Sequence, residues 1–127
     1  MDPDPCPCDT GRPYAACCGR LHGGRPAPTA VALMRSRYSA FARGLGDYLL
    51  VTWHPATRPR VLDLDDGLSW TGLVIEETEA GKAWDDTGVV AFAASWRQAD
   101  GTEGVLRERS RFTLVDGRWR YVDGMQL

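Results

Sequence analysis

The chain has 127 residues, of which 43% are hydrophobic and 25% are charged, and its formal net charge is -2. This composition is typical of one soluble globular domain with at most a small appendage, and the charge gives no reason to expect nucleic acid as a partner. The chain has no run of 18 apolar residues, and its start, MDPDPCPC, lacks the basic and apolar regions of a signal peptide. We therefore expect a cytoplasmic protein without a membrane segment.

Four cysteines lie in the segment CPCDTGRPYAACC, at positions Cys6, Cys8, Cys17 and Cys18, and the rest of the chain has none. Four thiolates suit a closed tetrahedral zinc site, and the glycine and proline between the two pairs favour a turn that brings the pairs together. Disulfides between the pairs would need an oxidising compartment, and C-x-C differs from the C-x-x-C of thioredoxin-like redox motifs. The pattern favours one structural zinc ion, with disulfide or redox chemistry as alternatives. His22, four residues after Cys18, is an alternative fourth ligand.

Helices are predicted after the cysteines. The segment GGRPAP, residues 23–28, reads as a linker between two folding units, residues 1–22 and 29–127. Thr29 is predicted to cap a helix, with Ser36 and Ser39 on the side opposite an apolar stripe. The stripe consists of Val31, Met34, Tyr38, Phe41 and Leu45. A second, shorter helix is predicted over DYLLVTWH, capped by Asp47.

Strands are predicted from residue 68 onward. Turns near Ala80-Gly81, Asp100-Gly101 and Asp116-Gly117 separate four segments, and such short turns require antiparallel neighbours. Two or three helices followed by a four-stranded antiparallel meander is an α+β architecture.

Alternation along the strands predicts a pocket. Glu108 shares its face with Phe112, so it should turn towards the helices among apolar groups, and Asp123 has the same parity as Tyr121 in the last strand. A bulge in any strand would reverse these assignments locally. The candidates to meet in one concavity are Arg37, Trp53, His54, Glu108 and Asp123. They predict either a structural ion pair between Arg37 and Glu108 or a ligand pocket in which His54 or Glu108 transfers a proton.

The opposite face of the predicted sheet is rich in arginine. Arg107, Arg109 and Arg111 alternate with the inward residues, and Val89, Ala91 and Ala93 share their face. This face predicts either an anion site or a homodimer interface.

The segment CPCDTGRPYAACCG resembles the SEC-C motif, whose usual form is C-x-C-G-S-G followed by a short basic stretch and C-C or C-H. Asp9 and Thr10 stand where the motif has Gly and Ser, while Gly11 and Tyr14 match it. Because the last motif position is His in the translocase SecA and Cys18 here, the resemblance favours Cys18 over His22 as the fourth ligand. Together with LMRSRYSAF, DYLLVTWHPATRP and GRWRYVDG, the chain resembles the YchJ-like family of uncharacterised bacterial proteins. The resemblance implies a SEC-C zinc knuckle fused to a cone-shaped domain of nuclear-transport-factor-2-like fold.

These observations support several functions. The leading hypothesis is a zinc-binding adaptor that contacts a protein or a small ligand, and the resemblance to the SecA knuckle implies a protein partner for this one. The alternative is a small enzyme, of isomerase or hydratase type, with its active site in the cone. Metal or redox sensing by the cysteines is a third hypothesis.

Overall fold

The computed structural model describes residues 4–64 and 67–127. A 3-10 turn (Tyr14–Ala16) leads into three helices, α1 (Cys18–His22), α2 (Ala30–Arg43) and α3 (Gly46–Val51). Four strands follow: β1 (Leu68–Ala80), β2 (Thr87–Gln98), β3 (Glu103–Val115) and β4 (Arg118–Gln126). The predicted α+β order is confirmed. None of the helices in these two ranges is long and apolar enough to cross a membrane.

Helix α2 begins and ends where its sequence provides caps. Thr29 Oγ1 accepts a hydrogen bond from the Ala32 N–H at 3.1 Å, which satisfies a donor left free in the first turn. Gly44, at φ +73°, ends the helix and donates its N–H to the carbonyls of Ala40 and Phe41. The predicted start at Thr29 is therefore confirmed.

Helix α3 begins two residues earlier than a cap at Asp47 predicts. It starts at Gly46, and Leu45 precedes it as the N-cap residue without a side-chain hydrogen bond. Asp47 lies inside the first turn. The prediction that Asp47 caps the helix is wrong, although a carboxylate in the first turn still suits the positive end of the helix dipole.

Helix α2 is buried on two opposite sides. Met34 and Tyr38 are buried, as the apolar stripe predicts, but Ser36 and Ser39 on the other side are also 0% exposed. The cysteine segment and α3 cover that side: Ser39 Oγ lies 3.4 Å from Cys6 Sγ, and Ser36 Oγ bonds to the Tyr48 hydroxyl at 2.7 Å. The second buried side is polar because it packs against thiols and hydroxyls.

The four strands form an antiparallel meander in the order β1-β2-β3-β4. The predicted turns are confirmed; the tightest is Asp116-Gly117, where both residues adopt positive φ, +52° and +77°, as a type I′ hairpin turn requires. The sheet curves around α2 and closes a core between them.

Strand β4 contains one extra residue opposite β3. Arg111 pairs with Asp123 and Phe112 pairs with Tyr121, so Val122 has no counterpart. This bulge reverses the alternation of side chains, leaving Tyr121 on the inner face and Asp123 on the outer face. The prediction that Asp123 turns inward is therefore wrong.

The cysteine segment, residues 4–22, packs directly against α2 and β1. Arg35 Nη1 donates to the Cys8 carbonyl at 2.7 Å, and the Leu73 N–H donates to the Asp9 carboxylate at 3.1 Å. All four cysteines belong to the same buried cluster as the inner residues of α2 and the sheet. The division into residues 1–22, 23–28 and 29–127 as folding units stays a prediction, but the first and last of these segments share one core.

Candidate metal centre and ligand cavity

The four cysteine sulfurs converge at one point against α2. Every pair of Sγ atoms lies within 4.8 Å, and the residues are 9% exposed or less. In a tetrahedral zinc site with Zn–S bonds of about 2.3 Å, neighbouring sulfurs are about 3.8 Å apart. The Cys8 and Cys17 sulfurs lie 3.5 Å apart. All four are free thiols, so the structure does not support the disulfide alternative.

The electrostatics of the cluster favour a cation. A hydrogen bond with Cys18 lowers the pKa of Cys8 to about 4, and Thr10 acts in the same direction. The pKa of Cys18 is raised by the same hydrogen bond and by burial, and burial raises the pKa of Cys17. Without a cation, the cluster thus favours the thiolate at Cys8 and the thiol at Cys17 and Cys18. A divalent cation allows all four sulfurs to be deprotonated together, so this donor set fits a metal such as zinc.

Thr10 completes the environment of the sulfurs, although the sequence did not predict it as a site residue. Its Oγ1 lies 3.2 Å from Cys17 Sγ and 3.7 Å from Cys8 Sγ. A hydroxyl bonded to a ligand atom fixes the orientation of that ligand. The sequence feature that could have identified Thr10 is its position in the loop between the two cysteine pairs.

His22 is engaged elsewhere. Its Nε2–H donates to the Ser36 carbonyl at 2.8 Å, and its Nδ1 accepts from the Tyr14 hydroxyl at 2.5 Å. Burial lowers the pKa of His22, which favours the neutral ring that these two hydrogen bonds require. Because both ring nitrogens are occupied, the structure does not support His22 as an alternative fourth ligand.

A cavity of about 270 Å³ lies between α2 and the inner face of the sheet. Its wall is largely aromatic, formed by Tyr38, Phe41, Trp53, Trp70, Phe92 and Tyr121. Among the described residues that line it, Arg37 and Glu108 are the charged ones. Three predicted pocket residues, Arg37, Trp53 and Glu108, therefore line one cavity.

Arg37 is 3% exposed, and its charge is held by neutral partners. Its Nη1 donates to the Leu49 carbonyl at 2.8 Å and to Thr52 Oγ1 at 2.7 Å. The guanidinium carbon lies 4.8 Å from the centre of the Trp53 ring and 4.5 Å from that of Tyr121. Burial lowers the pKa of Arg37 to about 10.

Glu108 lies on the inner face as its parity predicts, but it does not form the expected ion pair. Its carboxylate accepts a hydrogen bond from Ser110 Oγ at 2.7 Å, and its side chain covers Gly124. Tyr121 is close to both charged groups: the Arg37 guanidinium carbon lies 4.5 Å from the centre of its ring, and burial, followed by the nearby Glu108 carboxylate, raises its pKa to about 12. Among the residues that the structure describes, no carboxylate lies within 4.0 Å of the Arg37 guanidinium. The direct pairing of Arg37 with Glu108 was a wrong prediction.

His54 and Asp123 lie outside the cavity. After α3 the chain runs beside β4, with a bridge between Trp53 and Tyr121, so Trp53 points inward and the next side chain points away. His54 Nδ1 instead accepts a hydrogen bond from the Ala56 N–H at 3.0 Å. Asp123 lies on the outer face because of the bulge, and forms a bidentate ion pair with Arg111.

Comparison with known proteins covers both the cysteine segment and the α+β domain. Residues 29–124 match the family model described as the YchJ middle domain of NTF2-like fold. The chain belongs to this family. The SEC-C motif matches residues 3–20 of this YchJ-like chain, a range that includes all four cysteines and ends before His22.

Relatives of this YchJ-like chain cover nearly its whole length. A UPF0225 protein of Streptomyces coelicolor is 57% identical over 98% of this chain and 97% of its own, and one of Deinococcus radiodurans is 50% identical over 96% and 89%. A solution structure of a SEC-C motif containing protein from Rhodopseudomonas palustris superposes with a TM-score of 0.84 at 32% identity, covering 98% of this chain and 99% of the other. A crystal structure of such a protein from Psychrobacter arcticus has a TM-score of 0.77 at 27% identity, with coverages of 94% and 81%.

The outer face of the sheet in this YchJ-like chain carries ion pairs between strands. Arg107 lies 3.2 Å from Glu76, and Arg109 lies 3.4 Å from Glu77 and 2.8 Å from Glu79. These carboxylates neutralise the arginines, which weakens the hypothesis of an anion site on this face. A homodimer through the outer face stays a prediction.

Proposed function

We propose that this chain is a zinc-stabilised binding module: one structural zinc ion holds the cysteine segment on α2, and the cavity takes up a small organic ligand. The observation that carries the proposal is the cavity of about 270 Å³ and the Arg37 guanidinium that lines it. Arg37 is 3% exposed and has no carboxylate partner in the part of the chain that the structure describes. Ligand sites combine an apolar wall with a few well-placed polar groups in this way.

The buried thiol cluster supports the zinc part of the proposal. Four thiolates leave no open position on a tetrahedral zinc ion, so a metal bound there would be structural and would contribute to folding. Its role would be to hold Cys6 beside Ser39 and Cys8 beside Arg35, both on α2. Helix α2 also carries Arg37 and Tyr38 to the cavity.

Binding is better supported than catalysis. The acid–base chemistry predicted from the sequence used His54 or Glu108 in one shared pocket, and of these two only Glu108 lines the cavity. Glu108 would then act without a second acid or base among the predicted residues. No contact in the described ranges favours a reaction over binding.

A panel of aromatic probes tests the binding function. Benzoate, benzamide and benzylamine have similar size and carry negative, zero and positive charge at pH 7. We expect at least one of them to shift the NMR signals of Ala94 and Leu106, which line the cavity, in the zinc-loaded chain. If none binds at millimolar concentration, the proposed function is wrong.

A matched pair of variants locates the binding. Ala94→Leu places extra carbon atoms in the cavity and should weaken the probe at least tenfold, because the added volume competes with the ligand. Ala93→Leu makes the same change on the outer face of β2 and should leave affinity unchanged. Equal effects of the two substitutions would place the probe outside the cavity.

A further inference from the structure

We propose that the cavity recognises the carboxylate of a planar, mainly apolar monocarboxylate, of about the size of a substituted benzoate, through Arg37. This inference rests on the proposed function, since it requires the cavity to be a binding site. It specifies the chemical class of the ligand and the residue that selects it.

Arg37 has hydrogen-bond donors to spare. Both of its hydrogen bonds to protein come from Nη1, one to Leu49 and one to Thr52. Neither Nε nor Nη2 donates to any acceptor in residues 4–64 and 67–127. These two nitrogens form the edge of the guanidinium that binds a carboxylate with two parallel hydrogen bonds.

An anion in contact with Arg37 would complete its stabilisation. Glu108 lines the same cavity and partly offsets the effect of burial on the pKa of Arg37, but the two side chains form no ion pair. The aromatic faces of Trp53 and Tyr121 provide only part of the remaining stabilisation. The burial that depresses the pKa of Arg37 reflects this deficit. A ligand carboxylate beside the free edge would supply the counter-charge in a site where water screens it weakly.

The wall of the cavity specifies the rest of the ligand. Aromatic rings such as Phe41, Trp70 and Phe92 pack well against another flat ring. An apolar cavity of about 150 Å³ holds benzene. The volume of about 270 Å³ therefore accommodates a benzene ring with a carboxylate and a small substituent.

Glu108 limits the ligand to one negative charge. Its carboxylate lies in the same cavity and accepts a hydrogen bond from Ser110. A second carboxylate on the ligand would be repelled by this like charge. A hydroxyl group at that end could donate to Glu108. The site therefore suits a ligand with one carboxylate, which Arg37 would bind. The Glu108 carboxylate would remain as a hydrogen-bond acceptor at another part of the cavity.

The probe panel distinguishes this inference from the proposed function. With the zinc-loaded full chain at pH 7, we expect benzoate to bind at least tenfold more tightly than benzamide, and benzylamine to bind most weakly. Equal affinities for benzoate and benzamide would overturn the role of Arg37 while leaving the cavity a binding site. A preference for benzylamine would assign selection to Glu108 and would also overturn it. Binding of none of the three would overturn both proposals.

Two variants test the residue itself. Arg37→Lys keeps a positive charge but lacks the planar edge, so the preference for benzoate over benzamide should fall below threefold. Because Arg37 also bonds to Leu49 and Thr52, this variant could fail to fold. Glu108→Gln leaves Arg37 intact and removes a negative charge from the cavity, so it should tighten benzoate several-fold and leave benzamide unchanged. No gain for benzoate in Glu108→Gln would contradict the charge argument.

Discussion

Two residues that depart from the usual SEC-C motif have structural roles here. Asp9 stands where the motif has glycine, and its φ of +65° is in the left-handed region that glycine, asparagine and aspartate tolerate best. Its carboxylate also accepts the Leu73 N–H next to a bulge of β1. Thr10, in place of serine, retains the hydroxyl that lies beside two sulfurs. Asp9 and Thr10 therefore keep the loop conformation and the hydroxyl of the motif, and Asp9 adds a hydrogen bond to the sheet.

Zinc content should separate the two candidates for the fourth ligand. We expect one zinc ion per chain in the purified, reduced protein, retention of that ion in His22→Gln, and its loss in Cys18→Ser. The reason is that both nitrogens of His22 are hydrogen-bonded, whereas Cys18 Sγ lies within 4.8 Å of the other sulfurs. Elemental analysis measures the stoichiometry. Zinc retained by Cys18→Ser but lost from His22→Gln would reverse the assignment.

The Thr10 hydroxyl should strengthen metal binding without contacting the metal. Thr10→Val has nearly the same shape but cannot hydrogen-bond to Cys17, and loss of such a contact typically weakens metal affinity about 10–100-fold. Competition with a chromophoric chelator measures the change. Thr10→Ser, which keeps the hydroxyl, is the control and should bind zinc like the parent chain; equal weakening of both variants would refute a role for the hydroxyl.

At the scale of secondary structure, the start of α2 is attached to the turn between β1 and β2. The Ala30 N–H donates to the Gly81 carbonyl at 2.9 Å, and Gly88 lies directly beside this contact. A Cβ on Gly88 would lie 2.5 Å from Gly81 Cα and 3.1 Å from Ala30 Cβ. The sheet and the helix approach this closely because position 88 has no side chain.

Gly88→Ala should therefore destabilise the fold. The atoms in the way belong to backbone and to a short side chain, so they cannot move independently, and overpacking of this kind costs about 1–3 kcal/mol. Gly23→Ala is the control, because its Cβ would meet no atom closer than 3.4 Å and its φ is -79°. Denaturant unfolding measures the free energy of unfolding of each variant. A loss in Gly88→Ala no larger than in Gly23→Ala would contradict the close packing of α2 on the turn.

At the scale of the whole molecule, α2 connects the two sites. One side of the helix contacts the cysteine segment through Arg35, Ser36 and Ser39, and another side carries Arg37 and Tyr38 to the cavity. Loss of metal would loosen a segment that covers one buried side of this helix. Loss of the metal should therefore also destabilise the part of α2 that lines the cavity.

Removal of zinc should lower the stability of the whole chain in one transition. Because the cysteines share the core with the inner face of the sheet, a chelator should shift the thermal transition seen by tryptophan fluorescence and that seen by circular dichroism together. A loss of 2 kcal/mol would lower the Tm by about 8 °C for a domain of this size. An unchanged fluorescence transition after zinc removal would instead show that residues 29–127 fold independently, as the linker alone predicts.

The sequence by itself determined the features that depend on near neighbours along the chain. The spacing of the cysteines favoured a metal site, the Asp116-Gly117 pair predicted a hairpin, and Thr29 marked the start of α2. Period-two alternation also placed Glu108 on the inner face of β3. These signals are readable because backbone geometry repeats over a few residues, whatever the rest of the fold does.

Only the tertiary structure decided which distant groups meet. One bulge at Val122 moved Asp123 to the outer face, and the docked cysteine segment buried Ser36, neither of which has a local signal. Arg37 donates to the Leu49 carbonyl and to Thr52 because α3 packs beside α2. With these partners, Arg37 does not form an ion pair with Glu108. The physical reason is that the partners of a buried charge depend on how whole helices and strands pack against each other. In a strand, a shift of one residue in register also changes every side chain that faces the core.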